Sequence, residues 1–165
     1  MTTLITNATL IPCSPDMPVI ERGYVHIEGE TILAAQGGPV PAIAGAEMID
    51  AGGDIVMPGM VDPQCHVAMT LFRGLGEDVD DRLYRYVLPM ERKFVTPEMV
   101  RAGTALGTLE LIEGGVTTVA DMYYYETEVG RVVDAAGIRG VVGQTIADFD
   151  PPDHKTIDAG FALTE

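Results

Sequence analysis

The spacing of apolar and polar positions changes character near Pro58-Gly59, and that change divides the chain. Before it, the apolar residues come in short β-prone runs. Asn7 to Ile11 is one, and Pro15 to Pro18 breaks it. Tyr24 to Ile27 and Thr31 to Ala34 flank Glu28-Gly29-Glu30, the pattern of a hairpin. Gly37-Gly38, Pro39 and Pro41 interrupt the chain before Glu47 to Asp50 and Asp54 to Met57. Residues 1–57 are therefore expected to form a small antiparallel β domain.

Beyond Gly59 the period alternates between two and about 3.6. Met60 to His66 reads as a strand. Asp80 to Phe94 reads as a helix that Pro89 kinks or divides. Thr96-Pro97-Glu98 is a helix start, with Thr as the N-cap, Pro at the first position and an acid in the first turn. Met99, Ala102, Leu106 and Leu109 then recur as one apolar stripe, expected to face the core, and Gly114-Gly115 ends the helix. Thr117 to Met122 is the next strand. Val129, Val132, Val133 and Ala136 mark a further helix closed by Gly137, and Gly140 to Ile146 is a third strand. Strand, helix, strand, helix, strand with short connections predicts parallel βαβ units. Either an open doubly wound sheet or the start of a (β/α)8 barrel fits. A whole barrel takes about 250 residues, and only residues 58–165 remain, so a barrel reading implies a partial one. The last residues, Ala162-Leu163-Thr164-Glu165, carry no terminal-element signal and point the same way.

Composition narrows the setting. The chain has 165 residues, 47% of them hydrophobic and 21% charged, which is globular composition. No apolar run approaches the roughly 18 residues of a membrane span. The N-terminus lacks the basic residues of a secretory signal, so a cytoplasmic protein is expected. The net charge of −15 disfavours nucleic acid and anionic membranes as partners. Cys13 and Cys65 form no metal or redox motif and are expected to be reduced.

The candidate chemistry lies in Pro58-Gly59-Met60-Val61-Asp62-Pro63-Gln64-Cys65-His66. Residues two apart in a strand share a face, so Gln64 and His66 are expected on one side and Cys65 on the other. At the C-terminal end of a first barrel strand, that side is the mouth where active sites lie. On its own, a histidine in such a place is more often a hydrogen-bonded structural residue than a ligand. Its surroundings alter that. The segment resembles the first strand of the amidohydrolase superfamily, whose pattern is Pro-Gly-x-x-Asp/Asn-x-His-x-His. The resemblance extends through Val67-Ala68-Met69-Thr70-Leu71-Phe72-Arg73-Gly74, Val87-Leu88-Pro89-Met90-Glu91, Gly114-Gly115-Val116-Thr117-Thr118 and Asp121-Met122-Tyr123-Tyr124. These pieces are similar to the branch holding 5′-methylthioadenosine/S-adenosylhomocysteine deaminases and chlorohydrolases.

That resemblance implies a fold: a β-sandwich portion in residues 1–57, then about three strands of a (β/α)8 barrel in residues 58–165. It implies a metal-dependent hydrolase of non-peptide C–N bonds, a deaminase of adenosine-type or related ring substrates, with zinc or another divalent metal as cofactor. His66 is the metal ligand so implied, and Gln64 occupies the usual first-His position with a weak, neutral amide oxygen. Glu77, in the loop after the first strand, and Gln144, where the branch often has a substrate-binding arginine, are the implied substrate contacts. The later histidine, aspartate and glutamate positions of the superfamily have no counterpart here, so the metal site is expected to be degenerate. A complementary C-terminal chain or self-association is a possible partner beside the small-molecule substrate. A non-catalytic binding or interaction protein derived from the same fold is the alternative. Asp121 is expected to act as a hydrogen-bonding or capping carboxylate. Asp78, beside Glu77, is expected in a solvated acidic loop, and Asp148 near the end of the third strand. His154 is expected in a solvated loop, and His26 has no motif around it.

Overall fold

The computed structural model describes residues 1–164 and divides them into two compact units, Met1–Pro58 and a second beginning at Gly59.

The first unit is a five-stranded sheet. β1 (Thr2–Leu10), β2 (Ile20–Glu28) and β3 (Thr31–Gly37) form an antiparallel meander, and β4 (Glu47–Asp50) and β5 (Ile55–Val56) both pair with β1. The β2–β3 turn uses Gly29 at φ 59°, as its position between two glutamates predicted. Asn7, at φ 51° inside β1, sits at a shift in the β1–β2 register, a bulge that a residue tolerant of the left-handed region can supply. The expected all-antiparallel arrangement is corrected here, because β4 and β5 run parallel to β1. The connection after β3, with Pro39 and Pro41, carries the chain past β2 to the far side of β1, and β4 enters in the same direction as β1. Ala8, Leu10 and Val25 are the buried centre of this unit.

The second unit is built on a three-stranded parallel sheet in the order β6-β7-β8: Met60–Cys65, Val116–Tyr123 and Arg139–Gln144. Between β6 and β7 come a 3-10 segment (Val67–Phe72), a π-helical turn (Leu83–Val87), α1 (Leu88–Phe94) and α2 (Pro97–Glu113). Pro89 produces the division expected at that place. It sits in the first turn of α1, where its missing N–H costs nothing, and the Leu88 N–H reaches back to Leu83 O across the wider π turn. α3 (Glu126–Ala136) joins β7 to β8, and α4 (Ile157–Ala162) follows.

Both ends of α2 follow the sequence signals. The Thr96 side chain accepts a hydrogen bond from Met99 N at 3.2 Å, and Gly115 leaves the helix at φ 81°. The buried face of α2 does not follow them. Val100, Gly103, Thr104, Gly107 and Thr108 point inward, while Leu106 and Leu109 are 41% and 53% exposed. Close approach explains the reversal. A Cβ on Gly103 would lie 2.3 Å from Ala68 O, and one on Gly107 would lie 2.8 Å from Val67 O. The helix rests on the backbone of the 3-10 segment, and only small residues fit that contact. The core proper gathers Val119 and Tyr123 of β7, Val100 of α2, and Val129 and Val133 of α3.

Candidate functional site

His66 stands just beyond the C-terminal end of β6, at the N-cap of the 3-10 segment. Its imidazole is tied to the neighbouring strand: Nδ1 lies 2.5 Å from Met122 O. A carbonyl only accepts, so Nδ1 carries a proton, and in the neutral imidazole the lone pair lies on Nε2. That is the tautomer a metal-ligating or proton-accepting histidine needs. One residue earlier in β7, Asp121 is buried, and its carboxylate accepts from Val67 N–H at 3.2 and 3.3 Å. The end of β7 therefore grips both the imidazole of His66 and the backbone that follows it. Asp121 performs the hydrogen-bonding role expected of it.

The carboxyls around this point titrate high. Burial pushes Asp121 up to about 6, against the pull of its bond from Val67. Burial, reinforced by the Asp121 charge, pushes Glu126 at the start of α3 up to about 8. Cys65 is pushed up to about 12 by burial and by the same aspartate, so its thiol stays protonated and unreactive near neutral pH.

Beside His66 opens a cleft of about 810 Å³. Glu91 and Tyr124 line it together with Tyr123, Met69 and Leu88, and Thr145 and Phe149 contribute from the segment after β8. Glu91 is 5% exposed, and Tyr124 Oη donates to its Oε2 at 3.4 Å. Burial raises the Glu91 carboxyl, while the two tyrosine hydroxyls pull it the other way. A buried carboxylate beside aromatic rings, in a cleft that Asp80, Arg82 and Arg92 also line, suits a planar ligand that carries hydroxyl or amino donors.

The sequence-derived candidates are scattered with respect to this cleft. His66 lines it. Gln64 is exposed, and its N–H is turned onto Asp62 Oδ1 at 3.2 Å. The β6–β7 register shifts between Asp62 and Cys65, around Pro63. Glu77 is exposed in a turn segment. Gln144 is committed elsewhere: Nε2 donates to Asp153 Oδ2 at 2.7 Å and to Thr145 O at 2.9 Å. His154 corrects the expectation of a solvated loop residue, since it is 4% exposed and its Nδ1 lies 2.7 Å from Asp153 Oδ1. The surrounding Asp-Pro-Pro-Asp-His-Lys run is polar in sequence, but Pro151 is also buried. Sequence reasoning missed Glu91 as a site residue, although it ends the Val87-Leu88-Pro89-Met90-Glu91 stretch that carries part of the resemblance.

The sequence profile of the Amidohydrolase family matches residues 55–160. The 5-methylthioadenosine/S-adenosylhomocysteine deaminase of Symbiobacterium thermophilum is 40% identical over 152 residues, which cover 90% of this chain and 35% of that protein. The enzyme of the same name from Syntrophobacter fumaroxidans is 36% identical over 168 residues, 98% of this chain and 38% of that one. The chain thus spans little more than a third of the length of these relatives. Among solved structures, a zinc-bound adenosine deaminase from Xanthomonas campestris superposes with a TM-score of 0.86 at 28% identity, over 97% of this chain and 37% of that one. Guanine deaminase from C. acetobutylicum, with guanine in its active site, shares the fold at a TM-score of 0.81 and 21% identity, over 99% of this chain and 41% of that one. With the family profile covering more than half of its residues, and with the strand-end histidine and cleft arranged as described, this chain belongs to the amidohydrolase family.

Proposed function

We propose that these residues form the opening part of a hydrolase of non-peptide C–N bonds, a deaminase acting on adenosine-type or related ring substrates in the cytoplasm. On this reading residues 58–165 are the first strands and helices of a (β/α)8 barrel, and residues 1–57 are part of a β-sandwich. The parallel β6-β7-β8 order with helical crossovers supports the barrel. Two free cysteines suit a reducing compartment. The observation that carries the functional reading is His66, its Nδ1 bound to Met122 O and its Nε2 left free of that bond, beside a cleft that also holds the buried Glu91.

The cofactor this reading implies is zinc or another divalent metal, which supplies an activated water when bound. The donors of this chain do not by themselves fit it. His66 offers one good nitrogen and Gln64 a neutral amide oxygen, and among the described residues no three His, Cys, Asp or Glu side chains converge. The remaining ligands would come from outside these 165 residues, on a complementary C-terminal segment or chain. The residues present act on the substrate side: Glu91 accepts hydrogen bonds from hydroxyl or amino groups, and Tyr123 and Tyr124 shield that carboxylate from water, whereas Glu77 and Gln144 do not line the cleft.

Titration of the chain with adenosine, followed by NMR, tests the reading. Shifts at His66, Glu91 and Tyr124 that vanish in Glu91→Gln are expected, with no ammonia released. No adenosine-dependent shift at these residues would overturn the ring-substrate reading. One equivalent of zinc in the purified chain, with chelator-sensitive hydrolysis, would overturn the claim that its own donors are insufficient. The exposed Gln64 favours a second reading, a binding protein on the same fold without catalysis. That reading requires metal-independent ligand binding in every assembly of the chain.

A further inference from the structure

The segment between β8 and α4 runs from Thr145 to Thr156 and contributes Thr145 and Phe149 to the cleft wall. It contains no regular secondary structure, yet it is fastened by a set of mostly part-buried hydrogen bonds. At their centre is Asp153, whose side chain is 1% exposed. Its Oδ2 accepts from Tyr125 N–H at 2.9 Å and from Gln144 Nε2 at 2.7 Å. Its Oδ1 lies 2.7 Å from His154 Nδ1, which donates, since a carboxylate oxygen accepts. One carboxylate thus joins the end of β8, the start of α3 and its own segment.

The His154 ring extends the clasp. Its Nε2 faces the Ala147 backbone, 3.3 Å from N and 3.1 Å from O. In the neutral Nδ1–H tautomer, Nε2 accepts from the Ala147 N–H. Gly160 of α4 packs against the ring so closely that a Cβ there would lie 2.9 Å from Nε2. Tyr125 Oη donates to Pro152 O at 2.9 Å, and from the other side of the cleft Arg92 donates to Phe149 O at 2.7 Å. Nothing in the enclosed His–Asp pair meets a nucleophile or reaches the cleft itself. Its work is mechanical.

We propose that Asp153 is a positioning residue: through His154, Gln144 and the backbone of Tyr125 it holds the Thr145–Pro152 segment so that Phe149 stands as the aromatic wall of the cleft. The surface so held is one on which a planar, uncharged ring stacks. That consequence rests on the reading of the cleft as the substrate surface, but the clasp is testable without any ligand, so the two can fail separately.

The chain contains no tryptophan, which makes Phe149→Trp a single fluorescent reporter of the wall. In that background, Asp153→Ala is expected to red-shift the emission and raise acrylamide quenching at position 149, with far-UV circular dichroism retained. Unchanged emission and quenching in a folded Asp153→Ala protein would overturn the proposal. Asp153→Asn provides the second measurement, because it keeps one acceptor oxygen for Tyr125 and Gln144 and turns an NH2 toward His154. Nitrogen-15 NMR is expected to find His154 protonated at Nδ1 in the parent. In Asp153→Asn the proton moves to Nε2, which then donates to Ala147 O, and the emission of the Phe149→Trp reporter returns most of the way to the parent value. A His154 without a proton on Nδ1 in the parent, or one whose tautomer ignores the Asn substitution, would show that no such clasp exists.

Discussion

Glu126 has two carboxyl oxygens buried without a hydrogen-bond partner among the described residues, next to the charge of Asp121. Its folded pKa of about 8 lies above its ordinary value of 4.5, so the native state binds the proton more tightly than the unfolded chain. The stability this group contributes is full below about pH 4.5 and is lost as the pH rises toward 8, with a slope of up to about 1.4 kcal/mol per pH unit for one proton. Denaturant melts at pH 5 and pH 8 should therefore find the chain more stable at pH 5. Glu126→Gln should flatten that difference; a Gln variant with the same pH slope would assign it to other groups. At Gln64 the issue is a donor type. Gln64→His adds a second imidazole near His66, and zinc binding by calorimetry is expected to stay weak because two nitrogens are half of a tetrahedral set. Tight, stoichiometric binding by this variant would place the defect at position 64 alone.

Helix α2 is the element on which periodicity and packing disagree. Met99, Ala102, Leu106 and Leu109 form the apolar stripe, yet the side of Gly103 and Gly107 meets the protein because it approaches the Val67–Phe72 backbone too closely for larger residues. Two substitutions separate these views. Gly103→Ala inserts a methyl against Ala68 O and should destabilise by about 1–3 kcal/mol, despite the better helix propensity of alanine. Leu106→Ala, at a 41% exposed site, should change stability by less than about 0.5 kcal/mol in urea melts. Equal effects would mean that the stripe, too, is packed in solution. The ends of the same helix were readable because capping is local: Thr96 needs only Met99 three residues on.

Across the whole molecule, apolar surface is left open. Val61 on β6 and Val141 on β8 are 61% and 68% exposed, and both strands are edges of the three-stranded sheet. Edges of this kind recruit further strands. Sedimentation of the chain is expected to show concentration-dependent association in spite of the net charge of −15. Val141→Lys should shift it toward monomer with its melting temperature unchanged. Association that persists in this variant would move the interface off β8. No helix among the described residues is long and apolar enough to cross a membrane.

The sequence by itself determined whatever depends on neighbours in the chain. The break at Pro58-Gly59, the caps at Thr96 and Gly115, the proline-divided helix before Phe94 and the β-α-β-α-β order all rest on interactions spanning a few residues. The family was legible for the same reason, since its motifs are contiguous. Tertiary structure alone decided which face of α2 is buried, that β4 and β5 run parallel to β1, and that His154 lies inside the protein with Asp153. It also decided that His66, Glu91 and Phe149 share one cleft while Gln64 and Gln144 do not line it. Each of these depends on contacts between residues distant in the chain, and no local period encodes how closely two backbones will approach.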